Sequence, residues 1–199
     1  EEPKQIAEKT VTLPDKSQPI YIEGYHRPAA TDKDDAVYSA ISEVLSTGRS
    51  SRLYRSLVRD KKIAAQARAM SGFPGDKYPS LMVFLAVPTP GPGNEEVQKA
   101  LHEEIEKLKV DPVSDAELQR VKTRAKADLI RGLRSNTGIA REMATNQAMY
   151  GDWRELFRAV DKIDKVTKGD IQRVAQATFV PTNRTVGMIV NTDAPSAKN

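Results

Sequence analysis

Cysteine is absent from this chain of 199 residues, which excludes disulfide frameworks, thiolate zinc sites and cysteine nucleophiles. Histidine is scarce: His26 and His102 lie far apart in sequence, and neither belongs to a recognisable set of metal ligands. His102-Glu103 begins like the H-E-x-x-H motif of a zinc helix, but Glu106 stands where the second histidine belongs. We therefore expect a surface histidine on a charged helix at position 102, and no metal site within this chain.

Long apolar runs are also missing, because none approaches the roughly 20 residues needed to cross a bilayer. Charge of one sign is only slightly in excess: the net charge is +4 and the pI about 9.2, and acids alternate with bases along most of the chain. The basic residues between Arg120 and Arg134 are interspersed with acids and have few aromatic neighbours, which favours a solvated helix face over a nucleic-acid interface. We expect a soluble globular protein without a membrane span or a nucleic-acid partner.

Sequence motifs for nucleotide chemistry are lacking as well. Gly91-Pro92-Gly93 follows an apolar run but has neither the lysine nor the spacing of a phosphate-binding loop.

The chain opens with EEPKQ and no methionine, so we expect it to be part of a longer protein. Cysteine-free chains suit the periplasm and the cytosol alike; we favour the bacterial periplasm and keep the cytoplasm as the alternative.

Four segments have the alternation or the apolar content typical of strands, namely residues 20–25, 64–70, 81–87 and 185–190. Turn formers between the second and third of these indicate two adjacent antiparallel strands. A helix to about Leu45 follows the first strand, and Thr31 and Asp34 have the spacing of a capping box that would begin it. Its apolar face comprises Val37, Ala40, Ile41, Val44 and Leu45.

The second half of the chain is predicted to be mostly helical. Asn94 is positioned to cap a helix, and Ser114 with Glu117 and Thr167 with Asp170 have capping-box spacing for two later ones. Further helices are predicted over 137–150 and 153–163. Two apolar stripes at helical spacing are expected to face the core: Val97, Leu101, Ile105 and Leu108 in one helix, and Trp153, Leu156, Phe157 and Val160 in another.

The order of these elements is a strand, a pair of helices, two strands, several helices and a final strand, which predicts an α+β layer of sheet and helices. We divide the chain into residues 1–17, a linker or docking segment from a preceding domain; residues 18–193, the α+β domain; and residues 194–199, a disordered tail.

Residues 45–69 form the most distinctive stretch of the sequence. A polar turn, Ser46-Thr47-Gly48, leads into a short helix that is dense in arginine and then into an alternating segment. Leu53 and Leu57 are four residues apart on one face of this helix, whereas its arginines are spaced three and four apart on another. We expect the leucines to be buried, and Arg52, Arg55 and Arg59 to be presented to an acidic partner.

This stretch resembles the non-catalytic half of the pitrilysin/insulinase family of zinc metallopeptidases, which includes processing peptidases. The matching residues, in order and spacing, are Gly48, Ser50, Ser51, Arg52, Leu53, Leu57, Arg59, Asp60 and Lys61. The resemblance, including the order of elements, covers roughly residues 20–190. It implies a mixed, largely antiparallel sheet with helices packed on one face.

In the catalytic half of the resembled family, the first helix carries the inverted zinc motif H-x-x-E-H. The same overlay here places Ala40 and Val44 at the histidine positions and Glu43 at the glutamate position. Alanine and valine cannot donate to zinc. The resemblance therefore implies that this chain holds no cofactor, and that zinc belongs to the complete protein through a catalytic half in the same polypeptide or in a second subunit.

The resemblance assigns substrate contacts to two positions. The family arginine at the position of Arg59 reaches the substrate backbone or the oxyanion, a role that suits a rigid, permanently charged guanidinium. The alternative is a solvated arginine paired with Asp60. The family has a tyrosine seven residues beyond this arginine, but Gln66 occupies that position here; glutamine can still bond a peptide carbonyl.

Two functions of different class follow from the resemblance. In the first, the chain is the metal-free C-terminal half of a zinc metalloendopeptidase, inactive by itself, which binds a peptide or unfolded protein together with its catalytic half. In the second, it is a catalytically inactive assembly or peptide-binding subunit with a peptidase fold. The missing tyrosine is compatible with both.

Overall fold

The computed structural model describes residues 4–192, so the tail predicted at 194–199 lies outside the described residues. The strands are β1 (Lys9–Asp15), β2 (Ile20–Arg27), β3 (Ala64–Phe73), β4 (Ser80–Pro88) and β5 (Arg184–Asn191). The α-helices are α1 (Asp35–Ser46), α2 (Asn94–Val110), α3 (Asp115–Gly132), α4 (Asn136–Tyr150), α5 (Glu155–Lys165) and α6 (Lys168–Thr178). A π-helix covers Tyr54–Asp60, and a 3₁₀ turn covers Pro181–Asn183.

Within residues 4–192 the strands form one five-stranded sheet in the order β1-β5-β2-β4-β3. The pairs β2–β4, β2–β5 and β3–β4 are antiparallel, whereas β1 pairs with β5 in parallel. The predicted α+β class with a mixed, largely antiparallel sheet is therefore confirmed. Residues 9–15 of the predicted docking segment form edge strand β1; their origin in a preceding domain stays a prediction.

The helices pack on one face of the sheet, as predicted, because the side chains on that face of the central strands are large and apolar. Tyr25, Phe84 and Phe179 form an edge-to-face triangle whose ring centroids are 5.1–5.8 Å apart. The predicted apolar faces of α1 and α2 are fully buried against this cluster. No helix among the described residues is long and apolar enough to cross a bilayer.

The helix starts differ in part from the predictions. The capping box Thr31–Asp34 does not form, because the Asp34 carboxylate binds the guanidinium of Arg173 at 2.7 Å. Asn94 is also not a cap: Gly93 takes that position, and the Asn94 side chain donates to the carbonyl of Ile189 at 2.8 Å. At both positions the side chain expected to cap the helix instead bonds a residue that is distant in sequence. The capping boxes that begin α3 and α6 are present as predicted.

The outer helices are packed less tightly than the sequence indicates. In α5 Leu156 is buried, but Phe157 is 49% exposed, so the predicted core stripe through Trp153, Leu156, Phe157 and Val160 is wrong in part. Helix α4 has no fully buried residue at all within the described chain. These helices lie outside α1, α2 and α6, which occupy the space next to the sheet.

Candidate functional site

The arginine-rich stretch forms a π-helix that is anchored by its leucines. Leu53 and Leu57 are completely buried, as the sequence predicted. Gly48 supplies the positive φ (+79°) of the preceding turn, and the Ser51 hydroxyl donates to the Gly48 carbonyl at 2.8 Å. The Lys61 amide donates to the carbonyl of Ser56, five residues earlier, which is the hydrogen-bond spacing of a π-helix. The helix is therefore fixed from its buried side.

Arg52 meets an acidic partner, as the sequence predicted for its arginine face, but that partner belongs to the same chain. Its guanidinium binds both carboxylate oxygens of Glu117, with Nε–Oε1 and Nη2–Oε2 distances of 2.8 and 3.0 Å. First the Arg52 bonds, and then the amide and hydroxyl of Ser114, lower the pKa of the Glu117 carboxyl from 4.5 to about 2. Arg52 thus joins the π-helix to the start of α3.

Arg59 is exposed at the last turn of the π-helix. Its guanidinium bonds both carboxylate oxygens of Asp60, with an Nε–Oδ1 distance of 2.6 Å, and each of the two side chains is 53% exposed. This bond lowers the pKa of Asp60 below its usual value. The structure therefore contains the solvated pair that the sequence offered as the alternative, but a pair this exposed costs little to open.

Gln66 lies on edge strand β3, directly after a β-bulge at Ala65. It is partly exposed and faces the same side of the sheet as its partner Val87, which is the side without helices. Among the described residues its side-chain amide has no hydrogen-bond partner. A free amide on an open edge strand can bond a peptide group.

A short, well-fixed turn joins these two positions. The amide of Ile63 donates to the carbonyl of Leu57 at 3.0 Å, and Thr89 bonds the carbonyls of both Lys62 and Ile63. Lys62 has a positive φ of 55°, which lets the chain reverse from the π-helix into β3. Arg59 and Gln66 therefore flank one rigid reversal.

A groove of about 500 Å³ runs beside the π-helix, but its charges are balanced. Its lining sets Arg52, Arg55, Lys61 and Lys107 against Asp60, Glu104, Asp111 and Glu117. Most of these side chains already pair with each other or with neighbours. The groove consequently offers no net attraction to an anion.

The described residues do not fit a zinc ion. They contain no cluster of three or more histidine, cysteine, aspartate or glutamate side chains that could hold a metal. On α1, Ala40 and Val44, which the resemblance overlays on zinc-binding histidines, are both buried in the core. Glu43 instead lies 3.6 Å from the guanidinium of Arg124.

The sequence did not predict a buried polar cluster that lies on the helix-covered side of β2. Glu23 is completely buried and accepts bonds from the hydroxyls of Tyr21 at 2.6 Å and Tyr25 at 3.2 Å. The imidazole Nε2 of His102 lies 2.7 Å from the same carboxylate. His102 lies on a charged helix with its side chain 26% exposed, so the predicted surface position holds in part, but the sequence did not indicate this buried partner. Burial, and then the nearby Glu23 charge, raise the pKa values of Tyr21 and Tyr25 far above the usual range of tyrosine.

The cluster continues through Arg184 to Glu8, the residue just before β1. The Arg184 Nη1 lies 3.1 Å from Nε2 of His102, and the Arg184 Nε donates to the carboxylate of Glu8 at 2.6 Å. The alternation Tyr21, Glu23, Tyr25 along β2 is the sequence signal that could have revealed a carboxylate on the buried face. The Glu23 carboxylate finds its hydrogen-bond donors within the protein, which indicates a structural role for this cluster.

Comparison with known proteins identifies the family to which a chain with this fold belongs. The family of the Peptidase M16 inactive domain matches residues 1–125, and the chain therefore belongs to this family, which confirms the resemblance in the sequence. In this family an inactive domain pairs with a catalytic half.

Three relatives show how far the similarity extends. The zinc protease PqqE of Helicobacter pylori is 31% identical over 188 residues, which are 92% of this chain and 41% of that protein. A crystal structure of a protease from Helicobacter pylori superposes with a TM-score of 0.87 at 29% identity, covering 94% of this chain and 45% of that one. The inactive peptidase domain from Bordetella parapertussis gives a TM-score of 0.79 at 28% identity and covers 91% of this chain and 97% of that one. The chain thus spans less than half the length of the two Helicobacter pylori relatives.

Proposed function

We propose that this chain is the metal-free half of a zinc metalloendopeptidase. It contributes a substrate-binding surface and Arg59 to an active site whose zinc motif lies in a preceding half or in a partner subunit. The observation that carries the proposal is the placement of Arg59, which is held at the exposed end of a helix whose other side is anchored by Leu53, Leu57 and Arg52.

The proposed role of Arg59 is to bind a backbone carbonyl of an extended peptide. Its guanidinium is charged at every working pH and offers several donors in a rigid plane. A substrate would compete only with Asp60 for this group, since the pair is solvent-exposed and contributes little to stability. The rest of the helix does not need to move for this exchange.

Gln66 is proposed to bind a second peptide group of the same substrate. It follows Arg59 across the rigid turn and lies on the uncovered side of the sheet. An amide supplies one acceptor and two donors, which match the carbonyl and amide of a peptide bond. The substrate class supported by this pair is therefore a peptide or an unfolded segment, bound largely through its backbone.

The decisive test is Arg59→Ala in the complete protein, meaning this chain together with its catalytic half. We expect kcat/KM for peptide hydrolysis to fall roughly 10- to 100-fold, the equivalent of one charge-assisted hydrogen bond. The melting temperature should remain nearly unchanged because the side chain is exposed.

Arg55→Ala is the matched control, since Arg55 is an exposed arginine of the same helix. Equal turnover by wild type and Arg59→Ala, or an equal loss in both variants, would remove the assignment. Peptide binding without hydrolysis by the complete wild-type protein would instead support the alternative of an inactive peptide-binding subunit.

A further inference from the structure

Three departures from regular backbone geometry fall within the stretch that carries Arg59 and Gln66. The π-helix Tyr54–Asp60 comes first, Lys62 follows with its φ of 55°, and the β-bulge at Ala65 comes last. Within residues 4–192, Lys62 is the one residue other than glycine that has a positive φ. Each departure is rare or costly compared with regular geometry, and each type recurs at functional sites in proteins. Their clustering beside two candidate site residues therefore needs a physical explanation.

The helix widens step by step toward its C-terminal end. The amides of Arg55, Lys61 and Ile63 donate to carbonyls four, five and six residues earlier in the chain. The local sequence does not require this widening, because YRSLVRD contains neither glycine nor proline. Leu53 and Leu57 would also share one face in a regular α-helix. The π geometry is therefore not needed to bury the leucines.

Core packing does not require the bulge at Ala65 either. Ala64 pairs with Pro88 and Gln66 pairs with Val87, so Ala65 is an extra residue without a partner on β4. Its side chain is exposed, whereas that of Ala64 is buried. Without the extra residue, Ala64 and Gln66 would still point to opposite sides of the sheet, because neighbouring residues of a strand alternate. A regular strand would thus bury the same side chains, and the extra residue serves another purpose.

We propose that Ala65 is a positioning residue, which gives the reversal between the π-helix and β3 the length that places Arg59 and Gln66 against one extended peptide. This inference rests on the proposed function. The buried Leu57 fixes one end of the reversal, and the pairing of β3 with β4 fixes the other. One residue of a strand spans about 3.3 Å, which exceeds the tolerance of a hydrogen bond. Removal of the extra residue would therefore displace Arg59 relative to Gln66 by enough to break a contact.

The conformation of Lys62 shows that this reversal is held against a local preference. A positive φ is unfavourable for a residue with a side chain. The Thr89 hydroxyl and amide nevertheless keep the turn in place, because they bond the carbonyls of Lys62 at 3.0 Å and of Ile63 at 2.9 Å. Strain that the surrounding structure maintains is found where side chains are held in defined positions. The reversal accordingly acts as a rigid spacer between the two candidate contacts.

Deletion of Ala65 in the complete protein tests the proposal. It removes the extra residue but leaves Arg59, Gln66 and every buried side chain of β3 in the chain. We expect kcat/KM for peptide hydrolysis to fall at least about tenfold, because a small displacement of a substrate contact is costly. The melting temperature should stay the same or rise, since the strand pairing becomes regular. Deletion of Gly75, an exposed residue in the turn at the other end of β3, is the matched control and should leave kcat/KM unchanged.

The same deletion in the Arg59→Ala background separates positioning from a purely structural role. If the deletion acts by displacing Arg59, it should lower kcat/KM by less than about twofold once that side chain is gone. An equal loss in both backgrounds, or a wild-type rate for the Ala65 deletion alone, would overturn the proposal. Should this variant fail to fold, deletion of Lys61 decides in the same way, because it shortens the widened end of the helix by one residue. Lys61→Ala is then the control for the lost side chain.

The proposed function and this inference fail in different ways. A loss of turnover in Arg59→Ala, with full turnover after deletion of Ala65, would retain the proposed function and reject the positioning role. Full turnover by Arg59→Ala would reject the proposed function, and the positioning role with it, whatever the deletion does.

Discussion

Glu23 illustrates how a single residue can depend on partners that are distant in sequence. Its carboxylate is completely buried in the central strand, yet it is satisfied by two tyrosine hydroxyls and by His102 of α2. Burial of an unpaired carboxylate costs several kcal/mol, so these bonds are needed for the fold to tolerate it. His102 in turn contacts Arg184, which holds Glu8 just before β1.

We expect Glu23→Leu to lower the free energy of unfolding by about 3 kcal/mol. Leucine removes the acceptor and leaves the hydroxyls of Tyr21 and Tyr25 and the imidazole of His102 without it. Glu23→Gln keeps one acceptor oxygen and should cost distinctly less. Urea unfolding of the isolated chain measures both values; an equal cost for the two substitutions would contradict a role through hydrogen bonding.

At the level of elements, the π-helix is held by α3 as much as by its own sequence. The Arg52 guanidinium bonds the Glu117 carboxylate, and the same carboxylate closes the capping box with Ser114. One side chain therefore begins α3 and positions the helix that carries Arg59. Because Glu117 is mostly shielded from solvent, its charge interactions are stronger than those of a surface pair.

This arrangement predicts a defined pH dependence of stability. The folded-state pKa of Glu117 is about 2, below its ordinary 4.5, so its contribution is complete above pH 4.5 and is lost as the pH falls toward 2. Glu117→Gln keeps the capping geometry but removes the charge. We expect it to lower the free energy of unfolding by about 2 kcal/mol at pH 7, with a difference that shrinks below pH 4.5.

Urea unfolding at several pH values between 7 and 2.5 measures this difference. Glu106→Gln is the control, since Glu106 is 62% exposed and, within residues 4–192, bonds only Lys109 of the same helix. A difference between wild type and Glu117→Gln that does not change with pH would reject the depressed pKa as its cause.

Across the whole molecule, stability is distributed unevenly. The sheet and α1, α2 and α6 enclose the core, whereas α3, α4 and α5 form an outer group in which only Val121, Leu156 and Ile163 are buried among the described residues. A cleft of about 270 Å³ separates these three helices and is lined largely by apolar groups. Few buried contacts mean a low free energy for local opening.

Native-state hydrogen exchange of the isolated chain should reveal this difference. We expect backbone amides in α4 to exchange at least 100-fold faster than those in β2 and β4, because α4 has no fully buried side chain to hold it. The amides of α2, a helix of similar length whose apolar face is buried, provide the comparison. Equal protection of α4 and α2 would show that the outer helices unfold only with the core.

Much of the fold was predictable because its signals are local. The apolar faces of α1 and α2, the capping boxes of α3 and α6, and the antiparallel strands β3 and β4 follow from the periodicity and end signals of the sequence. The caps at Thr31 and Asn94 were wrong because Arg173 and Ile189, which are remote in sequence, bind Asp34 and Asn94 instead. Strand β1 needed its pairing with β5 to be recognised as part of the sheet.

For the candidate site, the sequence by itself determined the arginine-rich helix and its buried leucines, because these depend on spacing along a short stretch. The roles of Arg59 and Gln66 are implied by the resemblance and stay predictions. Only the tertiary structure decided that Arg52 is held by Glu117 and that Glu23 binds His102. Charge pairing and burial join residues that are distant in sequence, and no local pattern specifies such partners.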